Sequence, residues 1–176
     1  VSLVDGGRKK WLAEERPLTT DAPEYAATAY KVSGVRSELR ADRDFVRARL
    51  EKPGFALVDV RSVAEYTGEI IAPPGMSETA QRPGHIPGAA NVPWVQAVAE
   101  DGTFKSRDEL VKLYGAKGVS DDASDIVAYC RIGERSSHTW FALKYILGYD
   151  NVRNYDGSWT EWGNLIGAPI RKGEQA

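Results

Sequence analysis

Asp125-Ile126-Val127-Ala128-Tyr129-Cys130-Arg131-Ile132-Gly133-Glu134-Arg135-Ser136 holds a strand, a loop and a helix start in one uninterrupted run. Its first five residues read as a strand, apolar from Ile126 to Tyr129. The run breaks at Cys130. From Ser136 to Leu147 a helical pattern follows, with Trp140, Leu143 and Leu147 on one face and Gly148 as its stop. A buried strand that hands its last residue to a loop and then to a helix is the elementary unit of a parallel α/β sheet.

The same alternation extends to either side. Asp42 is a predicted N-cap for a helix carrying Phe45, Val46 and Leu50, and Phe55 to Val60 reads as a buried strand. Ser62-x-x-Glu65 has capping-box form, and Ala89 to Trp94 is a second strand. Ser106-x-x-Glu109 opens a helix through Leu110 and Leu113 that Gly115 ends. Val152 to Tyr155 is the last strand, and Ser158-x-x-Glu161 is read as the cap of the last helix. The expected architecture is α/β in three layers, a central parallel sheet flanked by helices. In such sheets ligands gather outside the carboxyl ends of the strands, where Cys130 falls.

Composition narrows the function. The 176 residues carry 23 Lys and Arg against 25 Asp and Glu, a net charge of -2 with both signs interspersed. A nucleic-acid footprint would need clustered basic excess. Apolar runs are far shorter than a membrane span, so no membrane partner is expected. One cysteine excludes an internal disulfide framework and a Cys-rich zinc site, and two histidines leave little for a His-based one. No metal or cofactor is implied. A single thiol fits a reducing, cytoplasmic setting. The chain opens on Val1 and its one methionine is Met76, so the natural start is expected upstream.

An internal repeat supports that expectation. Val1, Asp5, Gly6, Gly7 and Trp11, followed by Pro17-Leu18, match Val152, Asp156, Gly157, Ser158 and Trp162, followed by Pro169-Ile170. Residues 1–20 are therefore read as the tail of a preceding copy of the same domain. Residues 21–37 are read as a linker with one short strand at Tyr30-Lys31-Val32, and residues 38–172 as the C-terminal catalytic domain.

The chemistry is expected at Cys130. Its sulfur leaves a strand end, Arg131 and Arg135 flank it, and a helix starts at about Ser136. Loop N–H groups and the helix dipole can then point at an anion. Each feature favours an anionic, nucleophilic sulfur, and the same cradle would hold the outer sulfur of a persulfide. The bland alternative is a buried cysteine ending a core strand beside solvated arginines.

Four motifs, in order along the chain, resemble rhodaneses. They are Leu57-Val58-Asp59-Val60-Arg61 with Glu65-Tyr66, Gly84-His85-Ile86-Pro87-Gly88-Ala89, the loop Cys130 to Ser136, and Tyr155-Asp156-Gly157-Ser158-Trp159-x-Glu161-Trp162. They cover roughly Phe55 to Pro169, and the first twenty residues resemble the close of a first rhodanese domain. The resemblance implies a rhodanese fold and a ping-pong reaction. Cys130 takes sulfur from a donor such as thiosulfate and passes it from a persulfide to cyanide or a thiol. It implies an N-terminal rhodanese domain as intramolecular partner, with the site in the cleft between the two domains.

Arg131 directly after the cysteine resembles the thiosulfate-using branch; the mercaptopyruvate-using branch commonly has a small residue there. Two positions depart from vertebrate thiosulfate enzymes. Ile132 stands where they carry a lysine, and Glu65 where they carry a substrate-binding arginine. Arg135 is the expected substitute for the first charge and Arg82 for the second. By resemblance, Asp59 pairs with Arg131 and fixes the loop, together with Gly133 and Ser136. His85 and His138 are read as structural, Trp159 and Trp162 as packing. A phosphatase on the same fold needs Cys-x5-Arg, and that position is Ser136. A non-catalytic binding module would typically lack the cysteine.

Overall fold

The computed structural model describes residues 2–76 and 80–175; Val1, the first member of the repeat, lies outside the described residues. Five strands form one sheet: β1 (Arg40–Ala41), β2 (Phe55–Asp59), β3 (Ala89–Asn91), β4 (Asp125–Tyr129) and β5 (Val152–Tyr155). Their spatial order is β1-β5-β4-β2-β3, and every pairing is parallel. The longest register joins β2 to β4, running from Phe55 opposite Asp125 to Asp59 opposite Tyr129.

Strand alternation divides the core between the two faces. Val58, Ile126, Ala128, Cys130 and Val152 pack one way, against Leu110 and Tyr114 of α4 (Arg107–Gly115) and against Ala142 and Leu143. Leu57, Val127, Tyr129 and Tyr155 pack the other way. They meet Val46 of α2 (Arg43–Arg47), Tyr66 of α3 (Val63–Thr67), and Trp159 and Trp162 of α6 (Ser158–Trp162). This is the expected three-layer arrangement. Among the described residues no helix is long and apolar enough to cross a membrane.

Three caps form as read. Asp42 accepts the Phe45 N–H at 2.7 Å, and Ser62/Glu65 and Ser106/Glu109 both close reciprocal capping boxes. Other expectations need correction. Tyr30-Lys31-Val32 makes no strand; the linker is extended and open, with Tyr30 82% exposed. The edge position beside β5 goes to Arg40–Ala41, where Ala41 is buried. Strand β3 stops at Asn91, short of Trp94, although the Val92 and Trp94 N–H groups still donate to the carbonyls of Asp59 and Val60, and a 3-10 turn follows over Trp94–Ala97. The helix after the cysteine loop, α5 (Glu134–Phe141), starts two residues before Ser136, and a π turn over Ala142–Ile146 carries it towards Gly148. Ser158 does not cap α6 with Glu161: it lies inside the helix at φ 50, and its hydroxyl serves the cysteine loop.

Candidate active site

Strand β4 ends at Tyr129, and Cys130 turns off it beneath the loop. Cys130 is a free thiol and wholly buried, so its sulfur forms the floor of the loop and not the wall of an open cleft. The sulfur accepts the Gly133 N–H at 3.2 Å. That contact depends on Gly133 lying at φ +88, where it also serves as N-cap of α5. A Cβ on Gly133 would stand 3.0 Å from Asp156 Cα and 3.1 Å from its carbonyl oxygen. Gly133→Ala should therefore cost about 1–2 kcal/mol of stability from the left-handed backbone alone, measurable by thermal melts. The N–H facing Cys130 would move with the backbone.

The loop is buttressed from the start of α6, a role the sequence reading missed. Ser158 Oγ accepts the Cys130 N–H at 3.1 Å and donates to Tyr155 O at 2.7 Å. The Trp159 and Thr160 N–H groups donate to the carbonyls of Cys130 and Arg131, each at 3.0 Å. Asn154 Nδ2 adds a 3.3 Å bond to Gly133 O. The clue was present in Tyr155-Asp156-Gly157-Ser158-Trp159, but only the parallel placement of β5 beside β4 brings that motif under Cys130.

The charges are arranged differently from expectation. The carboxylate of Asp59 is taken by Arg61 and not by Arg131: Arg61 Nη2 lies 2.6 Å from Oδ2, and Nε 3.0 Å from Oδ1, with both residues fully buried. Arg61 also donates to Gly84 O at 2.7 Å, and its guanidinium lies 4.5 Å from the Trp159 ring centroid. Asp59 therefore reaches the cysteine loop through Arg61 and Trp159. Arg82 is not a substrate cation. Its guanidinium donates to the carbonyls of Trp162, Gly163, Leu165 and Ala168, closing the end of α6.

Arg131 is buried, with one guanidinium nitrogen 3.2 Å from Met76 Sδ. Arg135 forks onto Glu65, at 2.9 Å to Oε2 and 2.8 Å to Oε1. Burial pushes the Glu65 carboxyl up, but Arg135 and the Ser62 donors outweigh it and hold it below the ordinary carboxylate range. Ser136 is buried one residue further along, and its hydroxyl has no hydrogen-bond partner among the described residues.

The histidines are structural in their surroundings. His85 stacks on Tyr66 with centroids 3.7 Å apart, and Nδ1 lies 2.9 Å from Tyr66 O. His138 stacks on Phe104 at 4.2 Å. A cavity of about 730 Å³ opens beside His138, lined also by Val4, Trp94, Phe104 and Phe141, and no residue from Cys130 to Ser136 reaches it. This opening is thus separate from the cysteine loop. Among the described residues no cluster of His, Cys, Asp or Glu could hold a metal ion.

Known proteins are similar to this chain. A Haloferax volcanii protein named "Putative thiosulfate sulfurtransferase" is 56% identical over 173 residues, covering 98% of this chain and 60% of its own length. The Thermus thermophilus protein named "Sulfur carrier protein TtuD" is 55% identical over 179 residues, covering 99% and 62%. This chain thus spans about three fifths of the length of those curated relatives. Among solved structures, wild-type EanB superposes with a TM-score of 0.84 at 26% identity, over 97% of this chain and 40% of that one. A family model described as Rhodanese-like domain matches residues 42–165, from the Asp42 cap through β4, Cys130 and α6, and the chain belongs to that family.

Proposed function

We propose that this chain moves sulfane sulfur from thiosulfate to cyanide or a thiol acceptor through a persulfide on Cys130. One observation carries the reading: the only cysteine ends a buried strand with its sulfur 3.2 Å from an inward-pointing N–H, inside a loop bearing Arg131 and Arg135. The Cys130 thiolate attacks the outer sulfur of thiosulfate, a new S–S bond forms, and sulfite leaves with the electron pair of the old one. Cyanide or a thiolate then attacks the outer sulfur of the persulfide, and Cys130 departs as thiolate. No general base is needed when the nucleophile is already ionised. The relatives' names, a sulfurtransferase and a sulfur carrier, support the reading, as does a structure of EanB carrying a cysteine persulfide with ergothioneine.

The second reading concerns the donor, 3-mercaptopyruvate in place of thiosulfate. Cyanide-dependent thiocyanate release with each donor separates the two. Thiosulfate should give the higher turnover, and Arg131→Gly should shift the donor ratio about tenfold towards mercaptopyruvate by removing a nearby charge from the site. Higher turnover with mercaptopyruvate in the parent protein would overturn the assignment. A phosphatase is disfavoured because Arg135 faces Glu65 and Ser136 occupies the Cys-x5 position. Cys130-dependent hydrolysis of an aryl phosphate would revive it.

The proposal extends to the partner and the setting. We read residues 1–20 as the tail of a preceding rhodanese domain, and two geometric features support the repeat. Trp11 Nε1 donates to Pro17 O at 3.1 Å, as Trp162 Nε1 donates to Pro169 O at 2.9 Å. Gly7 and Ser158 share φ values of 51 and 50. The tail is tied to the catalytic domain by Asp5 Oδ1, which accepts the Phe104 N–H at 2.9 Å, and by Lys10 on Asp101 at 2.6 Å. A reducing, cytoplasmic setting belongs to the same proposal, since the thiol must stay reduced to act.

A further inference from the structure

Arg135 stands five residues after the nucleophile and within electrostatic reach of its sulfur, so composition alone makes it a cation for an anionic donor. The structure gives that cation a fixed counter-ion. Both terminal nitrogens of Arg135 bind Glu65, whose carboxylate is wholly buried, whereas the arginine side chain is 23% exposed. Glu65 is in turn held by the start of α3: its Oε2 accepts the Ser62 N–H at 3.1 Å and the Ser62 hydroxyl at 2.9 Å. Three donors on one oxygen and a fork across both leave this carboxylate no other position.

We propose that Glu65 tunes donor specificity by cancelling the charge of Arg135 beside Cys130, which narrows the margin by which the site favours a doubly charged sulfur donor over a singly charged one. Glu65 touches no reacting atom in this account; it is a positioning residue acting through Arg135. The inference rests on the sulfur-transfer reading above.

Charge gives the effect a signature that shape does not. The interaction of a donor with an added site charge scales with the donor's own charge. Thiosulfate carries two negative charges and mercaptopyruvate one, so neutralising Glu65 should change the first by the square of the factor for the second. Glu65→Gln is the variant to make, because glutamine at this position also closes a capping box and keeps the fold of α3. We expect kcat/KM for thiosulfate to rise about tenfold and that for mercaptopyruvate about threefold, with the difference shrinking at high salt.

The double variant Glu65→Gln/Arg135→Gln removes the pair as a unit and restores the net charge, so its donor ratio should return to within about twofold of the parent. Should the single variant fail to fold, Arg135→Gln supplies the opposite arm, with thiosulfate losing the square of what mercaptopyruvate loses. Equal changes for both donors, no change, or a double variant that keeps the single variant's ratio would each overturn the role of Glu65. Mass measurement of the parent after exposure to each donor separates the two levels. No persulfide with either donor sinks the sulfur-transfer reading, whereas a persulfide with an unmoved ratio sinks the specificity role alone.

Discussion

Cys130→Ser should abolish sulfur transfer, with thiocyanate release falling by at least about 10³-fold, as expected when the atom that holds the covalent intermediate is lost. The parent exposed to thiosulfate should gain about 32 mass units, one sulfur atom, and the variant should gain none. Serine is close to isosteric at this wholly buried position and can still accept the Gly133 N–H. Thermal stability should therefore stay near that of the parent, which separates a chemical loss from a folding one. A serine variant that still gained sulfur would place the nucleophile elsewhere, although the chain has no other cysteine. The buried thiol adds a kinetic expectation. With the sulfur wholly buried, alkylation should be slow with bulky reagents and faster with small ones, and prior exposure to thiosulfate should protect the thiol.

Arg61→Leu should have the largest effect on stability, a loss of about 3–5 kcal/mol, because it strands the Asp59 carboxylate in a fully buried position. Against a typical total of about 5–15 kcal/mol, that is a major fraction. It should appear as a drop in melting temperature of roughly 10–20 °C. Replacing both members by apolar residues of similar volume should recover most of the loss, since a buried pair removed whole leaves no unpaired charge. With the Asp59 single replacement added, the variants complete a double-mutant cycle. If Arg61→Leu alone costs under about 1 kcal/mol, the pair is not the anchor that its geometry implies. Activity should suffer too, because Arg61 lies over the Trp159 ring and the Trp159 N–H holds the Cys130 carbonyl.

The division between what is local and what is not follows from this network. Strands, caps and the proposed nucleophile are written in short stretches. Asp125 to Tyr129 announces a buried strand by its apolar run, Ser62-x-x-Glu65 and Ser106-x-x-Glu109 announce helix starts, and Cys130 is singled out by its neighbours Arg131 and Arg135. These features depend on periodicity and on contacts within about four residues, which a linear reading can follow.

The partners of the charges could not be read that way. The motif resemblance pairs Asp59 with Arg131, whereas the fold pairs it with Arg61, which lies beside the Trp159 ring. Arg82 looked like a substrate cation until the end of α6 brought four carbonyls to it. Glu65 was legible as a cap but not as the counter-ion of Arg135, seventy residues away. Ser158 was taken for a cap until β5 carried it beneath the cysteine. The sequence by itself determined the layered sheet, the family and the cysteine proposed as nucleophile. The tertiary structure decided which charge meets which, because in a buried site each long side chain has several chemically equivalent partners and only three-dimensional packing leaves one within reach.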